Sequence, residues 1–76
     1  MDEQNKIGVY IKINGNSEII EINSDIFIKD LTNWIEIDEG NGDKYAHAQS
    51  QYFNKPLVND NGNYNYILVD DKVIEK

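Results

Sequence analysis

Ile7, Val9, Ile11 and Ile13 alternate with Gly8, Tyr10 and Lys12, so the apolar pattern begins with a period of two. Successive side chains of a β-strand point to opposite faces, and this alternation predicts a strand with one buried face. Asn14-Gly15 follows, a strong hairpin signal because both central residues of a type I′ turn take positive φ. Asn16 and Ser17 leave room for a longer loop. The return strand is read from Glu18 to Asn23, with Ile20 and Ile22 inward and Glu21 outward.

Ser24-Asp25 interrupts the alternation before Ile26-Phe27-Ile28. Two continuations are open: the second strand resumes past a bulge, or a short separate strand forms. A helical turn over Asp25–Leu31 capped by Ser24 is a third option, disfavoured by its β-branched residues. Leu31, Asn33, Ile35 and Ile37 then alternate with Thr32, Trp34, Glu36 and Asp38, which reads as another strand. That strand should end in the loop Asp38-Glu39-Gly40-Asn41-Gly42.

One short helix is expected near 43–52. Asp43 is suited to the N-cap, Tyr45, Ala48, Gln49 and Tyr52 recur at helical spacing, and Pro56 sets a downstream limit. The last third returns to strands. Pro56–Val58 is a short one, Asn59–Gly62 a turn, and Tyr64, Tyr66 and Leu68 share a face opposite Ile67 and Val69. Asp70-Asp71 turns the chain into Lys72–Glu75. The expected class is therefore mainly β, or small α+β: an antiparallel sheet of two hairpins plus a central strand, with one short helix.

With 76 residues, the chain forms one domain over 1–76, in which the polar start at 1–5 is expected to be disordered. A domain this small buries only about 60% of the surface its unfolded chain exposes, so its core is thin. Disulfides and thiolate metal sites are excluded, because there is no Cys. Fourteen acidic residues against seven lysines, with no Arg, give a net charge of −7. Such a chain is a poor binder of nucleic acid or of an anionic membrane surface, whereas a basic partner suits it. Met1–Asn5 lacks the basic and apolar regions of a secretory signal, and no apolar run approaches the roughly 20 residues of a membrane span. A soluble protein, cytoplasmic during its synthesis, is expected.

Chemistry is hard to assemble from these residues. Nucleophilic catalysis needs a nucleophile and a base, yet His47 is the only His, and Ser17, Ser24 and Ser50 stand in turn or cap contexts. The carboxylates fall in turns or at outward strand positions, where water should hold their pKa values near normal. Asp38–Asp43 fails as a calcium loop, because Gly40 and Gly42 stand where oxygen ligands are needed. A lone His does not make a transition-metal site. No catalytic residue, cofactor, metal or small-molecule substrate is expected, and the chain is not read as an enzyme.

The aromatic residues remain. Trp34 falls on the face opposite Ile35 and Ile37, where it either anchors a partner or packs beneath the helix or the second hairpin. Tyr45 and Tyr52, together with Phe53, are suited to holding the helix on the sheet. The interaction candidates are Trp34, Tyr45, His47, Gln49 and Tyr52, His47 being also consistent with an ordinary surface residue.

A wider pattern connects several of these residues. It consists of Trp34-Ile35-Glu36-Ile37-Asp38-Glu39-Gly40, then Gly42–Gln49, Tyr52-Phe53, Gly62–Tyr66 and Asp71-Lys72-Val73. From Val9 to Glu75 the chain resembles a family of small, functionally uncharacterised proteins and domains of Firmicutes prophages, encoded among tail and lysis genes. Asn33 and Ser50 stand where that pattern leads one to expect Gly. The resemblance transfers no catalytic residue. It implies a genomic setting and no mechanism. With two hairpins, no assembled chemistry and Trp34 as a candidate anchor, the role expected in that setting is a non-catalytic structural or accessory protein of the phage tail or baseplate, in contact with other tail proteins or with itself, and virion-associated in that role. Two other roles fit the same setting: a tail-assembly chaperone, or an acidic inhibitor that mimics nucleic acid through Asp38, Glu39, Asp43 and Asp70-Asp71.

Overall fold

The alternating segment forms strand β1, Ile7–Ile13, and it is the centre of the sheet. Strand β2, Ile19–Ser24, and strand β3, Ile35–Gly40, flank it, both antiparallel, in the order β2-β1-β3. A separate hairpin is built from β4, Tyr66–Val69, and β5, Lys72–Glu75. The fold, a computed structural model describing residues 6–76, is thus mainly β, as expected. The disorder expected at 1–5 lies outside the described residues. Among those described, no helix is long and apolar enough to cross a membrane.

The first hairpin turns differently from the expected type I′. Ser17 N–H donates to Asn14 C=O at 3.0 Å, Asn14 N–H donates to Glu18 C=O at 3.0 Å, and Ser17 takes φ 65°. Its positive φ therefore falls on Ser17 instead of on Asn14 and Gly15. That geometry is a longer loop closed by a left-handed residue at a bulge position. The type I′ arrangement occurs in the second hairpin, where Asp70 and Asp71 take φ 52° and 66° between the paired Val69 and Lys72.

Two one-residue bulges then redistribute the faces. Lys12 pairs with Glu21 but Ile13 pairs with Ile19, so Ile20 is the extra residue on β2. Ile19 is fully buried with Ile22, while Ile20 is only half-buried, which corrects the expected inward pair Ile20 and Ile22. On the other side Val9 pairs with Asp38 but Tyr10 pairs with Glu36, leaving Ile37 as the extra residue on β3. Asp38 is thereby turned to the face of Val9 and Ile11, a second correction, since alternation placed it outward with Trp34 and Glu36. An inserted residue reverses every side-chain direction beyond it.

Between β2 and β3 the expected strands are shorter or absent. Asp25–Phe27 forms a single 3-10 turn, so neither a resumed strand nor a helix reaching Leu31 is present. Leu31–Trp34 is a turn in which Trp34 N–H donates to Leu31 C=O at 2.9 Å, and Asn33 takes φ 69°. Asn tolerates that left-handed geometry, which explains how it stands where Gly was expected. Strand β3 accordingly begins four residues later than read, and it continues to Gly40.

The helix is broken in two: α1, Asp43–Ala46, and α2, Ala48–Gln51. Gly42 (φ 110°), and not Asp43, occupies the N-cap position of α1. His47 sits at the break with φ −124° and ψ 48°. Pro56–Val58 reduces to one bridge, Val58 with Tyr64, across the Asn59–Gly62 turn. The core is Val9, Ile11, Ile19, Ile22, Ala48 and Tyr66. It lies between one face of the sheet, the two helical turns and the second hairpin, which joins the edge of β2 through a bridge between Glu18 and Ile67.

Candidate functional site

Asp38, brought inward by the bulge at Ile37, meets the helices. Tyr52 Oη donates to Asp38 Oδ2 at 2.8 Å, and Tyr45 Oη reaches the same oxygen at 3.4 Å. Burial pushes both phenols above their ordinary pKa, and the charge of Asp38 and the hydrogen bonds to it add to the rise. The rings of Tyr45 and Tyr52 meet edge to face with centroids 6.1 Å apart, and Lys44 Nζ lies 4.9 Å from the Tyr52 centroid. Phe53 contacts Tyr52 and stacks on Tyr66 at 4.1 Å. Phenols so held are donors at neutral pH, and they fasten the helices to β3. Tyr45 and Tyr52 are therefore placed as the sequence suggested, holding helix to sheet.

A second link was not legible in the sequence. Ser24, read as a cap or turn residue, is fully buried at the end of β2. Its hydroxyl donates to Tyr45 C=O and accepts from Ala48 N–H at 3.0 Å. One hydroxyl thus satisfies the Tyr45 carbonyl near the end of α1 and the first amide of α2, two of the orphan groups a helix break creates. It is occupied on both sides.

His47 and Gln49 are exposed. Together with Asn23, Phe27 and Ser50 they line a shallow hollow of about 280 Å³. Ile26 and Phe27, on the 3-10 turn, each retain 58% exposure, and Leu31 retains 44%. These apolar residues were missed as site candidates, because alternation assigned them to strands. Only the Ser24-Asp25 interruption signalled that the strand stops. Two further hollows along the same side hold about 190 and 250 Å³. All three fall below the roughly 300–1,000 Å³ typical of small-molecule sites.

Trp34 stands apart from the tyrosines, half-buried, with Lys12 Nζ 4.8 Å from its ring centroid. Beside it, on the face of the sheet opposite the core, Tyr10 lies among Glu36, Asp25 and Glu39. Burial first, and then these three charges, raise the pKa of its phenol. Among the described residues no group of three or more His, Asp or Glu is arranged to hold a metal ion. The five candidates therefore divide into a tyrosine clasp (Tyr45, Tyr52) and adjoining surface hollows, in which Gln49 lines one hollow with His47 and the 250 Å³ hollow with Trp34.

Compared with known proteins, the chain matches no family model, no curated protein and no solved structure.

Proposed function

We propose that this chain is a non-catalytic binding module acting through protein–protein contacts, as a structural or accessory part of a phage tail or baseplate. The observation that carries the binding role is the 3-10 turn. Ile26 and Phe27 are each 58% exposed beside the hollow of His47 and Gln49, in a domain whose buried core numbers six residues among those described. A small domain that leaves two large apolar side chains outside its core gains by covering them with a partner. The tail setting rests on the resemblance from Val9 to Glu75. Mass spectrometry of particles purified from an induced lysogen encoding the chain tests it. Fixed stoichiometry to the major tail proteins is expected. Recovery only in the soluble lysate would exclude a structural role and leave the assembly chaperone.

A second reading has one observation in its favour. Acidic mimicry of nucleic acid would draw on Asp25, Glu36 and Glu39 around Tyr10, in place of Asp38, which is engaged by the tyrosines. Binding of that kind weakens steeply with salt, whereas an apolar contact does not. A pull-down of the partner across a salt series separates the two.

A further inference from the structure

The two edges of the three-stranded sheet differ. The β2 edge is largely closed: Glu18 bridges Ile67, Leu68 N–H donates to Ser17 C=O at 2.9 Å, and Ile22 and Ser24 keep 4% and 0% exposure. The β3 edge is open, since among the described residues β3 pairs with β1 alone.

Which backbone groups face outward follows from the hydrogen-bond phase of β1. Asn14 N–H bonds Glu18, and in an antiparallel ladder alternate residues address the same neighbour. Lys12 and Tyr10 therefore direct their amides and carbonyls to β2, and Gly8 directs its amide to the same side, to Asp25 Oδ2 at 3.1 Å. Ile11 and Val9 address β3 at Ile35 and Asp38. Glu36 and Glu39, the exposed residues of β3, consequently turn their backbone groups away from the sheet. Asp38 Oδ1 closes the amide of Glu39 at 2.8 Å. The amide and carbonyl of Glu36 and the carbonyl of Glu39 are left to pair with an incoming strand.

We propose that the β3 edge is a docking site for an extended, basic segment of a partner protein, added as a further strand with a Lys or Arg opposite Glu36. Charge selects this occupant. Glu36 and Glu39 are the two exposed residues of this six-residue strand and both are acids, and the carboxylates of Glu36 and Asp25 converge over Gly8. A second copy of the chain is disfavoured, because pairing β3 with itself opposes these acids within molecules of net charge −7 each. A basic residue opposite Glu36 meets its carboxylate directly. Backbone pairing supplies affinity and the alternate basic side chains supply selectivity, as in strand addition generally.

The proposal rests on the binding-module reading and specifies its partner. It is tested by titrating the isotope-labelled full chain with an acetylated, amidated Lys-Val-Lys-Val-Lys-Val peptide at low salt. Amide shifts confined to 35–39 and slowed hydrogen exchange at Glu36 are expected. Glu36→Lys should weaken binding about tenfold or more, and the Glu-Val peptide of equal length should not bind. N-methylation of alternate peptide amides should abolish the shifts. If the N-methylated peptide binds as well, the attraction is charge alone and strand addition is wrong. No binding, shifts centred on other residues, or a dimer protected along β3 would also overturn the proposal. Particle mass spectrometry keeps the outcomes separate. A chain found in particles that ignores the peptide loses only the edge assignment, and a chain absent from particles that binds it loses only the tail setting.

Discussion

Tyr52 Oη donates to Asp38 Oδ2 at 2.8 Å, joining the helical segment to a strand residue that simple alternation would have left in water. Hydrogen bonds to a charged acceptor contribute about 1.5–3 kcal/mol each when part-buried. Tyr52→Phe should lower stability by about 1–2 kcal/mol in urea unfolding, because Tyr45 still approaches the carboxylate. Asp38→Ala should be more damaging, since two phenols lose their acceptor. Equal stability of Tyr52→Phe and the parent would show that the clasp contributes nothing.

The same pair predicts an alkaline limb. The phenol of Tyr52 is raised by burial and then by Asp38, so the folded state holds its proton more tightly than the unfolded chain. Its contribution is complete below the ordinary phenol value of about 10 and is lost as pH rises above it. Stability measured from pH 8 to 12 should fall, and Tyr52→Phe should flatten that fall. A parallel decline in the two proteins would mean that Tyr52 does not drive it.

Ser24→Ala removes the hydroxyl that serves both helical turns. Loss of a buried hydrogen-bonding partner costs about 1–3 kcal/mol, and the effect should concentrate locally. Amide exchange at Ala48 should accelerate more than exchange in β1. Uniform acceleration across the chain would argue against a local clamp between α1 and α2.

The turns hold strain that substitution can relieve. Ser17 and Asp71 take φ 65° and 66°, where a residue without Cβ is unstrained. Ser17→Gly and Asp71→Gly should each stabilise by about 0.5–1 kcal/mol, the relief of strain outweighing the greater freedom of Gly in the unfolded chain. Gly40→Ala should do the reverse, because its Cβ would lie 2.7 Å from the Tyr45 ring. Thermal melts of the three variants check the signs.

Phe27→Ser separates function from folding. A side chain left 58% exposed contributes little to the core, so the melting temperature should change by only a few degrees. Recovery of the partner in a pull-down should drop at least tenfold. Undiminished recovery would remove the 3-10 turn from the interface.

Local pattern was sufficient for several parts of this protein. The alternation from Ile7 to Ile13 determined β1 and its buried face, Asp70-Asp71 marked the second hairpin turn, and the spacing of Tyr45, Ala48, Gln49 and Tyr52 marked the helical segment, Gln49 alone of these four staying exposed. Each depends on neighbours a few residues away, which the sequence displays directly. Tertiary structure decided the two bulges. Ile19 and Ile20 are chemically alike, so nothing local tells which of them enters the core; pairing with Ile13 does. At Ile37 the same one-residue insertion brings Asp38 inward, and the phenols of Tyr45 and Tyr52 make that placement favourable. The end of β2 is similar, for Ser24 is buried only because Tyr45 and Ala48, twenty-one and twenty-four residues on, present a carbonyl and an amide to it. A period-two pattern specifies faces only up to the next inserted residue, and the register beyond that point is set by the partners across the sheet.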